Sequence, residues 1–280
     1  MKVNTFIVGA PKAGTTSLHF YLSQHKDVCM STIKEPNYFS SSEVQDLYYD
    51  SPILKSTSEY NKLFEKDSFI KGESSVSYLY YEKVPQRINE YNPDAKIIIM
   101  LRNPSERLFS HYLMDKRLGF CSKSIQDIHQ HRSKYALFFQ QFFKLGNYHE
   151  QIKRYQNIFG SNKVLILFYD DFKKDTRLEV EKVFKFLGIE PQLIDLEIKN
   201  QMLSPNNSFV AFLYTIKKLR KLVNFLIPTS LISLIKSNFF QSSKTHQFSQ
   251  AEYNLVKNYY ENEIILLEEL LKKDLSAWKK

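Results

Sequence analysis

Short apolar runs alternate with amphipathic segments along the first part of the chain. Four of these runs predict strands, and they span residues 2–8, 69–73, 96–101 and 164–169. Helical patterns fall between them. Because parallel strands need long crossover connections, the alternation predicts an α/β fold in which helices flank a central parallel sheet.

Helix-start signals support this interpretation. The first helix is predicted over residues 15–24, directly after the first strand and its loop. The second has Asn103 as its N-cap, Pro104 at its first position and Glu106 at its third, and it runs towards Lys116.

Two further helices are predicted from capping-box patterns. Thr176 and Glu179 precede an apolar pattern that Gly188 is placed to end, and Ser249 with Glu252 repeats the signal near the C-terminus. The last helix has one apolar stripe, formed by Tyr253, Val256, Tyr260, Ile264, Leu267 and Leu271. We expect this stripe to pack against the sheet.

Length and composition indicate one domain. A chain of 280 residues, 43% of them hydrophobic, can bury the core of one large α/β domain. We expect this domain to span residues 1–280, with an α/β core over 1–190, a basic apolar cap segment over 205–245 and a C-terminal helix over 249–273. The last two parts form a helical C-terminal cap.

The net charge of +9 favours anionic partners such as nucleotides, acidic glycans or anionic lipid. The basic residues of the cap segment are set among Phe and Leu, at Lys217, Lys218, Arg220, Lys221 and Lys236. Polar residues interrupt the apolar region 222–240, which argues against a spanning helix and leaves peripheral membrane contact open. No nucleic-acid motif accompanies the charge, so no nucleic-acid partner is expected.

The two cysteines bear on the compartment. Cys29 and Cys121 are too few for a disulfide framework and lack the spacing of metal ligands, which favours a reducing environment without a zinc site. The N-terminal apolar run is too short for a signal peptide. We therefore expect a cytoplasmic protein, and the sequence leaves its oligomeric state open.

The strongest local signal is the loop G-A-P-K-A-G-T-T-S over residues 9–17, between the first strand and the first helix. Its glycines permit conformations in which successive N–H groups face an oxyanion, and the helix N-terminus adds positive potential. ATPases and GTPases place lysine directly after the second glycine, but here Thr15 has that position and the lysine is Lys12. The loop predicts a P-loop-like site for a phosphate-type anion, and the alternative is an ordinary turn with a solvated lysine.

A second anion site is predicted one strand away. The run K-I-I-I-M-L-R places Arg102 at the carboxyl end of a buried strand, the edge at which open α/β sheets bind ligands. Ser110 lies two turns into the next helix, so its hydroxyl and the guanidinium can converge on another phosphate. Arg107 shares the face of Ser110 and is a candidate to orient it. The alternatives are an exposed charge for Arg107 and a surface ion pair for Arg102.

These motifs resemble those of the PAPS-dependent sulfotransferases, where PAPS is 3′-phosphoadenosine 5′-phosphosulfate, and particularly those of bacterial relatives of the carbohydrate and heparan sulfate enzymes. F-I-V-G-A-P-K-A-G-T-T-S-L is similar to the family's 5′-phosphosulfate loop, and L-R-N-P-S-E-R-L-F-S-H-Y to its 3′-phosphate motif. Weaker likenesses, among them S-T-I-K-E-P-N-Y-F and K-G-E-S-S-V-S-Y-L, extend the match over residues 2–188.

The resemblance implies sulfuryl transfer from PAPS to an acceptor hydroxyl, preferably of a sugar or glycoconjugate, without a metal. It implies Glu35 as the catalytic base and Lys12 as the group that stabilises the leaving phosphate. The donor-binding residues it implies are Pro11, Lys12, Ala13, Gly14, Thr15, Thr16, Ser17, Arg102 and Ser110.

Two departures from the family pattern concern the acceptor and the nucleotide. Heparan sulfate relatives often have a lysine within an E-K-[ST]-P segment, where residues 73–76 of this chain are E-S-S-V. This difference argues against a heparan-like acceptor. The family's C-terminal nucleotide loop is indistinct here, with Lys244, Thr245 and His246 as a candidate remnant.

Several alternatives remain open at this stage. Glu35 is a solvated loop carboxylate in the simplest interpretation, and His19, His25 and His111 are other bases in principle, although His19 and His111 are placed for packing. A P-loop kinase or NTPase would use Asp170 as a magnesium ligand, where capping a helix or turn is the simpler role. A non-enzymatic protein would bind nucleic acid or an anionic membrane through the basic segment.

Overall fold

A five-stranded parallel sheet forms the centre of the protein. The computed structural model describes residues 2–49, 54, 56–196, 203–205, 240–242 and 248–279. The strands are β1 (Thr5–Gly9), β2 (Val28–Met30), β3 (Ile70–Ser74), β4 (Lys96–Leu101) and β5 (Val164–Phe168). They lie in the order β2-β3-β1-β4-β5, and neighbouring strands of this sheet are parallel. The predicted α/β fold is confirmed.

The strand order reverses direction at β1. β3 lies on one side of β1 and β4 on the other, so the connections leave this strand towards opposite edges of the sheet. Ligands of open α/β sheets bind in the crevice at such a switch point, beyond the carboxyl ends of the strands. The loop that follows β1 and the residue that follows β4, Arg102, both lie at this point.

The four predicted strands agree with the structure apart from their ends, and β1 starts at Thr5 rather than at residue 2. β1 and β4 are buried along almost their whole length, which accounts for their continuous apolar sequences. The sequence analysis missed β2. Its three residues form too short a run to show a pattern, and they pair only with β3, at the edge of the sheet.

Helices connect and surround the strands. In the described residues they are α1 (Thr15–Ser23), α2 (Ser41–Val44), α3 (Thr57–Asn61), α4 (Val84–Tyr91), α5 (Pro104–Arg117), α6 (Ile125–Gln130), α7 (Ala136–Phe142), α8 (Tyr148–Phe159), α9 (Tyr169–Lys174), α10 (Thr176–Leu187) and α11 (Gln250–Leu271). Short 3₁₀ turns occur at Tyr38–Ser40, Lys144–Gly146, Ser161–Lys163 and Ser276–Lys279.

The helix caps confirm two predictions and correct one. Asn103 caps α5, since its Oδ1 accepts from the N–H groups of Ser105 and Glu106. The capping box of Ser249 and Glu252 at the start of α11 is present in both directions. For α10 the predicted capping box is wrong. Asp175 is the N-cap, and Thr176 instead donates its hydroxyl to the Phe172 carbonyl.

The final helix packs on other helices rather than on the sheet. α11 makes its main described contacts with α5, α8 and α6, which corrects the expected packing against the strands. Val256, Tyr260, Ile264 and Leu267 form the buried part of the predicted stripe, whereas Tyr253 is 47% exposed. The Tyr260 hydroxyl donates to the carbonyl groups that end α7, so the stripe carries a polar anchor as well.

Most of the predicted basic apolar cap lies outside the described residues, as do its named lysines and arginine and the candidate nucleotide loop at 244–246. Its two described ends pair as an antiparallel ladder, β6 (Leu203–Pro205) with β7 (Phe240–Ser242). Among the helices that the structure describes, none combines the length and the hydropathy that crossing a membrane requires.

Candidate active site

A cavity of about 790 Å³ opens at the switch point of the sheet. Its walls come from the loop after β1, the segment after β2, and helices α5 and α9. The predicted site residues that line it are Pro11, Lys12, Gly14, Thr15, Thr16, Ser17, Glu35, Arg102 and Ser110. Ala13, also predicted to bind the donor, is instead fully buried in the hydrophobic core.

The loop after β1 presents a row of backbone donors to this cavity. Among the described residues, the N–H groups of residues 12–17 have no hydrogen-bond acceptor, since they belong to the loop and to the first turn of α1. Gly14 has φ 88°, and a Cβ at this position would lie 3.1 Å from the Tyr169 ring. Successive free N–H groups at the start of a helix form an anion-binding concavity.

Lys12 stands within this loop in a left-handed backbone conformation, with φ 67°. Its Nζ lies 3.4 Å from the Sδ of Met114 on α5, and it makes no ion pair with another described residue. Burial and, after it, the charge of Arg117 lower the pKa of the Lys12 ammonium to about 8. A half-buried ammonium that has no ion-pair partner among the described residues favours an anionic ligand.

The second anion site joins the end of β4 to α5. Nη1 of Arg102 donates to the Lys12 carbonyl at 3.3 Å, and the guanidinium carbon lies 4.8 Å from the centre of the Tyr169 ring. Arg102 also pairs with exposed Glu106 at 2.9 Å, so the surface ion pair considered for it is present as well. Ser110 faces the same cavity from two turns along α5.

Arg107 has neither of the two roles considered for it, which were to orient Ser110 and to be an exposed charge. The side chain is completely buried, which excludes the exposed charge. Its Nη1 donates to the Gln141 carbonyl at 3.1 Å and its Nη2 to the Phe142 carbonyl, and no hydrogen bond joins it to Ser110 in the described structure. Arg107 therefore fastens α5 to the end of α7.

Glu35 belongs to the segment between β2 and α2. Its N–H donates to the Ser74 carbonyl at 2.8 Å, and its carboxylate, 41% exposed, pairs with Lys34 Nζ at 2.5 Å. Like Lys12, it has a positive φ, at 62°. Such conformations are unfavourable for residues other than glycine and concentrate at functional sites. Both residues predicted to be catalytic have them.

A buried polar cluster beside Lys12 was missed by the sequence analysis, apart from His111 itself. His111 lines the cavity, and its two ring nitrogens lie 3.2 Å from Arg107 Nη1 and 2.7 Å from Tyr49 Oη. Tyr49 in turn donates to Asp115 Oδ2 at 2.7 Å. Burial, followed by the charge of Arg107, holds the pKa of His111 well below its usual value, which makes it a poor proton acceptor. The one-turn spacing of His111 and Asp115 was the signal available in the sequence.

The other two histidines considered as bases have structural contacts. His19 Nδ1 lies 3.0 Å from Ser74 Oγ, and burial lowers the pKa of His19 to about 4. His25 is buried, with Nε2 2.9 Å from the Glu190 carbonyl. Neither is among the described residues that line the cavity.

Asp170 and Asp171 lie in the first turn of α9 and Phe168 is the N-cap, so the capping role expected for Asp170 is wrong. Asp170 Oδ2 accepts from the Trp278 indole at 3.1 Å, and Asp171 pairs with Lys273 at 3.4 Å. Trp278 also accepts, through its carbonyl, from the side chain of Asn103. Asp170 thus ties the C-terminal turn to the sheet edge, and it is not among the described residues that line the cavity.

A parallel sheet with a phosphate-type loop after β1 and a second cation after β4 is typical of α/β proteins that bind anionic ligands at the switch point of the sheet. The chain belongs to the sulfotransferase domain family, whose model matches residues 2–215. The resemblance of its motifs to sulfotransferases is thereby confirmed.

Two human relatives show the range of similarity. Bifunctional heparan sulfate N-deacetylase/N-sulfotransferase 2 is 30% identical over 202 residues, which are 67% of this chain and 22% of that protein. Carbohydrate sulfotransferase 15 is 24% identical over 250 residues, covering 66% of this chain and 44% of that protein. The chain therefore spans less than half the length of either relative.

Solved structures agree on the fold. A sulfotransferase from Alicyclobacillus acidocaldarius superposes with a TM-score of 0.74 at 26% identity, over 100% of both chains. Mouse sulfotransferase SULT7A1 complexed with PAP gives a TM-score of 0.53 at 13% identity, covering 98% of this chain and 90% of that one. At that identity the second comparison shows the shared fold alone.

Proposed function

We propose that this protein transfers a sulfuryl group from PAPS to the hydroxyl of an acceptor. The observation that carries the proposal is that two groups of hydrogen-bond donors and cations line one cavity, and we infer that each binds an anion. The loop N–H groups with Lys12 form one, and Arg102 with Ser110 forms the other. PAPS has anionic groups at both its 5′ and 3′ positions and therefore needs two such sites. The mouse sulfotransferase that shares this fold is complexed with PAP. PAP is adenosine 3′,5′-bisphosphate, the nucleotide that remains after PAPS has lost its sulfuryl group.

The donor-binding residues divide between the two ends of the nucleotide. The N–H groups of residues 12–17, with the hydroxyls of Thr15, Thr16 and Ser17, suit the 5′-phosphosulfate. Arg102 and Ser110 suit the 3′-phosphate, since a guanidinium and a hydroxyl both donate to phosphate oxygens. The Ala13 side chain packs the loop against the core, so Ala13 would contact the donor through its N–H group alone.

The chemistry requires proton removal from the acceptor and charge stabilisation on the donor. PAPS supplies a sulfuryl group that is already bonded to a good leaving phosphate. Glu35 takes the acceptor proton while the new oxygen–sulfur bond forms and the bond between sulfur and the 5′-phosphate oxygen breaks. Lys12 and the loop N–H groups stabilise the negative charge left on that phosphate. The cavity walls keep the two reactants in line.

For the acceptor we propose a sugar or glycoconjugate hydroxyl. The named relatives support this choice, since one is a heparan sulfate enzyme and the other a carbohydrate sulfotransferase. In place of the lysine of the E-K-[ST]-P segment this chain has Ser74, which is fully buried, so the acceptor need not be heparan-like. We also propose that transfer needs no metal, because Lys12 and the loop donors supply the positive potential at the phosphate.

The setting we propose is reducing and cytoplasmic. Cys29 and Cys121 are both buried as free thiols, which supports a compartment in which disulfides do not form.

The experiment that tests the function separates donor binding from transfer. Glu35→Gln preserves the size of the side chain and removes the base, so PAP affinity should stay unchanged while turnover with radiolabelled PAPS falls by about 10²–10⁴-fold. Lys12→Ala should weaken both, because the lysine contacts the donor before and during transfer. Near-native turnover of Glu35→Gln would refute the assignment of the base. A protein that neither binds PAP nor transfers sulfate to any acceptor in a screen of sugar, lipid and phenolic hydroxyls would refute the function.

A further inference from the structure

The backbone around Glu35 is held in an unusual shape. Glu35 has φ 62° and Asn37 has φ 51°, so two residues within three positions adopt the left-handed conformation. This conformation is unfavourable for most residues other than glycine, and asparagine tolerates it better than glutamate does. Side-chain and backbone contacts must therefore hold the segment in place, and those contacts determine where the Glu35 carboxylate points.

Asn37 uses all of its polar groups in doing so. Its Nδ2 donates to the Glu35 carbonyl at 2.7 Å, and its Oδ1 accepts from Ser77 Oγ at 2.7 Å. Its N–H donates to Ser75 Oγ at 3.0 Å, and its carbonyl accepts from the N–H of Ser40. The residue is 3% exposed although it lines the cavity with a few atoms.

Glu73 anchors this arrangement from the end of β3. Its Oε2 accepts from Ser75 Oγ and its Oε1 from Tyr60 Oη, each at 2.9 Å. The carboxylate is fully buried and makes no ion pair with any described residue. Burial raises the pKa of Glu73 to about 7, and the hydrogen bonds from Ser75 and Tyr60 hold its carboxyl group in one position.

We propose that Asn37 is a positioning residue for Glu35, and that Glu73 fixes Asn37 through Ser75. The inference rests on the proposed role of Glu35 as base. Both backbone polar groups of Glu35 are then bonded, its N–H to Ser74 and its carbonyl to Asn37. The half-exposed carboxylate itself has only Lys34 as a described partner, so the backbone must supply the precision that proton removal demands.

Asn37→Gly tests the proposal, because glycine keeps the left-handed backbone and removes only the side-chain hydrogen bonds. We expect kcat to fall by about tenfold or more, with KM for PAPS and the affinity for PAP unchanged within about twofold. The matched control is Asn92→Gly. Asn92 also donates through Nδ2 to a distant carbonyl, that of Val3 at 2.9 Å, but it lies away from the cavity and should leave kcat unchanged.

The double variant Asn37→Gly with Glu35→Gln distinguishes positioning from a general structural effect. If Asn37 acts through Glu35, the double variant is no slower than Glu35→Gln alone. Multiplication of the two losses, or full activity of Asn37→Gly, would overturn the inference while leaving the base intact. Full activity of Glu35→Gln would instead overturn the proposed base. Should Asn37→Gly fail to fold, Ser75→Ala removes the link to Glu73 and is judged by the same cycle.

Discussion

At the scale of single residues, the lowered pKa of Lys12 is the property that most affects the proposed chemistry. Its ammonium lies against Met114, and its pKa is lowered first by burial and then by the charge of Arg117, while the charge of Asp115 partly opposes the shift. The sequence motifs implied that Lys12 contacts the PAPS donor. They did not show that the lysine titrates close to physiological pH.

This titration predicts the pH dependence of the enzyme. Because the pKa of Lys12 is lowered to about 8, the side chain loses its positive charge as the pH rises through that value. The kcat/KM for PAPS, which reports the free enzyme, should decline above about pH 8. In Arg117→Gln the decline should move to higher pH, because removing a neighbouring positive charge raises the pKa of Lys12.

The measurement is a profile of log kcat/KM against pH for wild type and variant. Lys116→Gln is the matched control, since Lys116 is an exposed cation on the same helix and should leave the midpoint in place. Coincident profiles for wild type and Arg117→Gln would contradict the electrostatic coupling, whatever the change in absolute rate.

At the scale of elements, α5 organises the site. One face places Ser110, Met114 and Arg117 along the cavity wall at helical spacing. Buried Arg107, one turn before Ser110 on the same side of the helix, fixes α5 to the end of α7. The contacts that hold α5 in place therefore also determine the geometry of the donor site.

Arg107→Met should therefore reduce both stability and donor affinity. The Gln141 carbonyl loses the donor it has in Arg107, while the Phe142 carbonyl keeps the Tyr260 hydroxyl. A buried acceptor left unpaired costs about 1–3 kcal/mol, so urea denaturation should show a loss of at least that size. Arg132→Met, at an exposed arginine, is the control and should change the free energy of unfolding by less than about 0.5 kcal/mol. An equal effect of the two substitutions would contradict the anchoring role.

At the scale of the whole molecule, the cavity gathers segments that are far apart in the chain. Its walls include some of the residues in the segments 11–17, 34–37, 102–118 and 169–176. A ligand that bridges them binds the folded state alone and stabilises the entire protein.

PAP should accordingly raise the melting temperature far more than AMP, which lacks the 3′-phosphate. Arg102→Ala should lower PAP affinity by about tenfold or more and leave AMP binding almost unchanged, because a charge-assisted hydrogen bond contributes about 1.5–3 kcal/mol. Thermal-shift titrations in excess EDTA should give the same PAP response. Equal shifts from PAP and AMP would contradict the 3′-phosphate site. A larger shift from ATP with magnesium would favour a P-loop kinase or NTPase, and a larger shift from an oligonucleotide would favour a nucleic-acid-binding protein.

Local signals in the sequence were sufficient for much of the fold. β1 and β4 are buried on both faces and so appear as continuous apolar runs, while the loop over residues 9–17 and the Asn103 cap depend on neighbours a few positions away. These features depend on residues that are close together in the chain, so a single sequence is enough to predict them. It was enough to place a P-loop-like site and its second cation at one edge of a parallel sheet.

Tertiary structure decided the features that depend on distant partners. His111 meets Tyr49 across 62 positions, Arg107 meets Phe142 across 35, and Asn37 meets Ser75 across 38. β2 and the packing of α11 on helices likewise depend on contacts that no local pattern encodes. A single sequence does not show which of several similar polar residues will form a hydrogen bond with a distant partner. Burial and neighbouring charges, which also depend on the tertiary structure, lower the pKa values of His111 and Lys12, and the Asn37 side chain fixes the backbone at Glu35.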